Sequence, residues 1–75
     1  MARVERVTAI IQREGDVFVA RCPEVSVVSQ GDSLQEAEAN LKEAVELFFE
    51  YASPTEVRER RQPETYVAKL DVKVG

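Results

Sequence analysis

The sequence predicts an α+β domain with the element order β-β-β-α-β, and three observations carry that reading. Gln30 to Ala52 shows helical periodicity behind a capping pattern. The residues before it are rich in β-branched side chains and are broken by a Gly-containing turn, and Thr65 to Val74 alternates with a period of two.

The helix is the organising element. Gly31 marks a turn, expected to have a positive φ, and Ser33 followed three residues later by Glu36 is a capping box in which each side chain bonds the other's backbone N–H. Beyond it Leu34, Ala37, Leu41, Ala44, Val45, Phe48 and Ala52 fall on one stripe, with Glu36, Asn40, Glu43 and Glu50 opposite and Leu47 as the one apolar residue among them. About eighteen residues at about 1.5 Å each span roughly 27 Å, enough to cover one face of a small sheet.

Val4 to Gln12 is apolar enough on both sides to be read as a central strand. Arg13 to Asp16 is a turn around Gly15, and Val17 to Arg21 completes a hairpin. Pro23 lacks an N–H, so Cys22-Pro23-Glu24 ends the second strand, and a short third strand follows at Ser26 to Ser29. After the helix, Ser53, Pro54 and Glu56 start a short second helix to about Arg61, closed by Pro63. A right-handed crossover then places Thr65 to Val74 beside the first strand, in a four-stranded mixed sheet of order 3-2-1-4. One helix covers one face of that sheet; a second subunit or another protein is expected on the other.

The 75 residues make one domain, 1–75, and the 44% hydrophobic and 32% charged content is that of a folded chain. The net charge of -4 argues against phosphate-backbone binding as the main activity. Cys22 is the only cysteine and fits a reducing, cytoplasmic compartment; the N-terminal residues have no signal-peptide core, and no apolar run is long enough to span a membrane. His is absent, which removes the commonest general base and zinc ligand.

Candidate chemistry is sparse. A metal-dependent nuclease needs converging carboxylates, but Glu14 and Asp16 lie in the hairpin turn, Glu24 in a second loop and Asp32 at the helix cap, and they read as solvated groups. Cys22 has no base beside it and reads as a small, half-buried side chain. Gly31 lacks the spacing and the Lys of a phosphate loop. Arg58, Arg60 and Arg61 are offset by Glu56, Glu59 and Glu64, the pattern of a salt-bridged surface helix that binds no DNA by itself. No catalytic residue, metal or cofactor is expected. Charge is more informative: Asp32, Glu36, Glu38, Glu43, Glu46 and Glu50 stand against Lys42 alone, so the helix carries -5 and the rest of the chain +1. A basic partner would dock there, with Glu43, Glu46, Leu47 and Glu50 as the candidate contact residues.

The segment Val17 to Glu50, with Cys-Pro after a strand, a Gly-Asp-Ser turn and a helix of Glu-Ala repeats, resembles the HicB antitoxins of bacterial and archaeal toxin–antitoxin systems. The match rests on Cys22, Pro23, Gly31, Asp32, Ser33, Glu36, Ala37, Leu41, Glu43 and Ala44. The resemblance implies a truncated ribonuclease-H-like fold and an antitoxin that masks a small basic HicA-like mRNA interferase. Cys22, Pro23, Gly31, Asp32, Ser33 and Glu36 would be its structural motif. Many family members add an operator-binding domain, for which the sequence to Gly75 has no counterpart. Two other readings are a degenerate ribonuclease-H-like nuclease and a small-molecule-binding regulatory domain. The first is suggested by fold analogy alone, and the second lacks an evident Gly-rich or aromatic-lined pocket.

Overall fold

The computed structural model describes residues 4–61 and 64–75. Five elements follow in order: β1 (Ile10–Glu14), β2 (Val17–Cys22), β3 (Val27–Gly31), α1 (Leu34–Tyr51) and α2 (Pro54–Arg60). The strands form one antiparallel sheet in the order β1-β2-β3. The expected four-stranded mixed sheet of order 3-2-1-4 is therefore corrected to three strands and two helices.

Two local causes account for the difference. Val4 to Ala9 does not join the ladder, because the Glu24 carboxylate beyond β2 takes both the Thr8 backbone N–H, at 2.8 Å, and the Thr8 hydroxyl, at 2.6 Å. That leaves β1 five residues long and at the sheet edge, not at its centre. After α2, residues 64–66 line a small cleft together with Arg6, Val7 and Thr8. The following residues form no strand and are all exposed. The expected helix-closing role of Pro63 lies outside the described residues.

The hairpin forms as its turn chemistry asks: Gly15 has φ 65°, and the register pairs Glu14 with Val17 and Ile11 with Ala20. β2 ends at Cys22, before Pro23. In the next turn Ser26 has φ 56°, a left-handed conformation that is costly for a residue with a Cβ.

The core lies between the β2–β3 side of the sheet and α1: Ala20, Cys22, Val25, Ala37, Leu41 and Val45 are buried, with Phe18, Val27, Ile11 and Phe48 packed against them. Burying one Leu or Val side chain stabilises by about 1.5–3 kcal/mol. Ala44, Phe48 and Ala52 are half-buried, as the helical stripe requires, whereas Leu34 stays exposed. On the other sheet face, Ile10 and Val28 remain exposed beside the Arg21–Glu14 ion pair.

Gly31 closes the corner between sheet and helix by close approach, not by a special φ. It is the last residue of β3 and buried, and a Cβ there would stand 2.5 Å from the Ala37 backbone nitrogen and 2.8 Å from the Glu36 carbonyl carbon. The expectation of a positive φ at Gly31 is corrected accordingly; among the described residues only Gly15, Ser26 and Gly75 have one. Ser33 caps α1, its Oγ accepting from the Glu36 N–H at 3.1 Å, but the expected return bond from the Ser33 N–H to the Glu36 carboxylate is not formed. Ser53 does the same for α2 through Glu56, also at 3.1 Å.

Candidate partner-binding surface

The first and second turns of α1 are tied to the sheet, and this sets which helix face looks outward. Besides the Gly31 approach, the Asn40 amide donates to the Gln30 carbonyl at 2.8 Å. Asn40 is thus a tether at the end of β3 and not part of a free polar face. With that side fixed, Glu43, Glu46, Leu47 and Glu50 are all exposed and share one side of the last two turns, where no basic residue balances them. Leu47 keeps 45% of its surface open among three carboxylates. This is an apolar centre with an acidic surround.

The same helix borders a groove. Because α1 lies over β2 and β3, its other flank faces the N-terminal segment across an opening of about 1240 Å³. Val4, Val7, Leu41, Val45, Phe49 and Val57 are among its apolar lining. Glu5, Glu38, Glu46 and Glu50 also line it, against Lys42 as the one base. The four candidate contact residues are therefore divided: Glu46 and Glu50 reach the groove, while Glu43 and Leu47 do not line it.

The six motif residues also divide. Cys22, Gly31, Ser33 and Glu36 serve the fold. Asp32 is exposed, and Pro23 half-buried after β2. Cys22 is fully buried and not half-buried; its thiol contacts Glu24 at 3.6 Å, and burial pushes its pKa up, which weakens it as a nucleophile. Glu24, read from sequence as a solvated turn carboxylate, is a structural acceptor: burial pushes its pKa up, but hydrogen bonds from Thr8, its own backbone N–H and Cys22 together outweigh that and hold it below the usual carboxylate value. Among the described residues no three acidic, Cys or His side chains are grouped as a metal site.

The arginines of α2 do not pair with their neighbouring acids. Arg60 Nη2 donates to the Val25 carbonyl at 2.9 Å and the Ser26 carbonyl at 3.1 Å, with its guanidinium 5.0 Å from the centre of the Phe48 ring. Arg61 makes a two-pronged contact with Glu5, at 3.2 and 3.0 Å. Arg58 bonds the Thr55 hydroxyl at 3.4 Å. Thr8 carries no sequence signal for its role, and Asn40 and Arg60, expected on solvated helix faces, are tethers instead. Asn40 alone carried a signal, being a poor helix former in the middle of a strong helix.

Compared with family models, curated proteins and solved structures, the chain matches none. Among the described residues no helix is long and apolar enough to cross a membrane.

Proposed function

We propose that the chain is a protein-binding module: the antitoxin of a type II toxin–antitoxin system, which binds and neutralises a small basic HicA-like mRNA interferase in the cytoplasm. The observation that carries this reading is the exposed side of α1, where Glu43, Glu46 and Glu50 surround Leu47 with no basic residue in the last turn. Acids at a helix C-terminus oppose its dipole by about 0.3–1 kcal/mol each. A cationic partner would relieve that repulsion while burying Leu47, and long-range attraction would speed the encounter. The resemblance of residues 17–50 supports the same partner. In this reading the chain is no enzyme, binds no DNA by itself and works as a homo-oligomer, most simply a dimer.

The test is inhibition of a HicA-like interferase by the purified protein, with association rates at two salt concentrations. Glu43→Lys with Glu46→Lys should slow association about tenfold or more at low salt and less at high salt. An unchanged rate would remove this face from the interface, and failure to bind any such toxin, including one encoded beside it, would remove the reading itself.

A further inference from the structure

Residues 67–75 form an arm with the sequence pattern of a strand, exposed throughout and paired with no strand among the described residues. Tyr66, Ala68, Leu70, Val72 and Val74 alternate with Val67, Lys69, Asp71 and Lys73, and Leu70 and Val72 are 79% and 72% exposed. The cost appears in the whole chain. Its accessible surface is 6357 Å², where a compact protein of 8.4 kDa has about 4600 Å². Its radius of gyration is 14.5 Å, where 75 compact residues give about 11 Å. The surplus, about 1700 Å² per chain, exceeds the roughly 800 Å² that each partner contributes to a standard interface.

The groove beside α1 is the complementary feature. At about 1240 Å³ it exceeds the roughly 300–1000 Å³ of ordinary small-molecule pockets and suits a polypeptide segment better. The arm's nine residues Tyr66 to Val74 reach about 30 Å when extended, close to the 27 Å or so of the eighteen-residue α1. Charge agrees: the arm carries Lys69 and Lys73 against Asp71, and the groove is lined by Glu38, Glu46 and Glu50 against Lys42. The arm of the same chain does not line it.

We propose that the groove between residues 4–9 and α1 receives the 66–74 arm of a second copy, and that reciprocal exchange of arms builds the dimer. Tyr66, Leu70 and Val72 of each arm enter the partner's groove, on Val7, Val45 and Phe49, while Lys69 and Lys73 stay at the rim within reach of Glu46 and Glu50. The exchange is two-fold and closed, so it stops at two chains. It deepens the self-association proposed above and does not depend on the identity of any toxin.

The experiment is sedimentation of the full chain over a concentration series, with three sets of variants at exposed positions. Leu70→Asp with Val72→Asp should weaken the dimer at least a hundredfold while its circular dichroism spectrum stays that of a folded chain. Lys69→Glu with Lys73→Glu, and separately Glu46→Lys with Glu50→Lys, should each weaken it about tenfold at low salt, and the two sets combined should restore most of that loss. A wild-type monomer at high micromolar concentration would overturn both the dimer and the exchange. A dimer that survives Leu70→Asp with Val72→Asp would overturn the exchange alone. Loss on the arm substitutions without charge-swap restoration would overturn the groove as the docking place.

Discussion

Ala20 and Cys22 in β2, and Leu70 and Val72 in the arm, are apolar side chains set at the same two-residue spacing. The first pair is closed to solvent, whereas the second lies almost entirely open. The difference is not in the alternation but in what lies within reach. β2 has a strand on each side and a helix tethered above it by the Gly31 approach and the Asn40 amide. The arm leaves α2 past Arg6 to Thr8, where the chain is held by Glu24 and not by a sheet ladder. An amphipathic pattern specifies that a face must be covered; which element covers it is decided by tethers elsewhere.

Substitutions in the body and in the arm should differ widely in their effect on stability. Leu41→Ala, in the body, should destabilise the chain by about 2–5 kcal/mol in a urea titration, because α1 cannot settle far enough to fill the void. Gly31→Ala should cost about 1–3 kcal/mol or more, since the added methyl meets helix backbone at 2.5 Å and not a side chain that can turn away. Ser33→Ala should cost about 0.5–2 kcal/mol through loss of the cap on Glu36 N–H. Leu70→Ala, in the arm, should change the stability of the dilute, monomeric chain by no more than about 0.5 kcal/mol. A large effect at Leu70 under those conditions would mean that the arm packs within its own chain.

Glu24→Gln tests the tether that keeps Val4 to Ala9 out of the sheet. The Glu24 carboxyl has a lowered pKa in the folded chain, so its contribution is present above the ordinary carboxylate pKa and is lost as pH falls through the folded value. Melting temperatures of wild type and variant should differ most near neutral pH and converge as the solution is made acidic. A constant gap would assign the effect to packing and not to charge.

The body was legible in the sequence because its signals are local. Gly15 in a tight turn, Pro23 after a strand, Ser33 and Ser53 before helices, and the Ala37–Leu41–Val45 stripe each state their structure within a few residues. The sheet order was not, because it depended on a pairing between segments some sixty residues apart, and one carboxylate at Glu24 was enough to withdraw the N-terminal half of the expected first strand. Gly31 was recognised as special for the wrong physical reason: a turn glycine and a close-approach glycine look alike until the helix that presses on it has been placed. Glu43, Glu46, Leu47 and Glu50 could be read as a shared outward face from helical spacing. The groove that claims Glu46 and Glu50 could not, since its far wall is the segment that failed to become a strand.

The Arg60 contact has a consequence for the order in which the chain comes apart. A helix of seven residues has too few internal bonds to persist alone. α2 is ordered largely because Arg60 grips the Val25 and Ser26 carbonyls across 35 and 34 residues of chain, and because Arg61 grips Glu5. Arg60 meets the core only at its border, through the Val25 carbonyl and the Phe48 ring, and Arg61 meets Glu5 outside the sheet and α1, so releasing these grips unties α2 while the hydrophobic core stays closed. The chain therefore has two tiers of cooperativity, a core that opens only on global unfolding and a hinged C-terminal third that opens beneath that limit. In the dilute, monomeric chain backbone amides should exchange with solvent accordingly, rapidly in Thr55 to Arg60 and along the arm, and slowly in Leu41 to Val45.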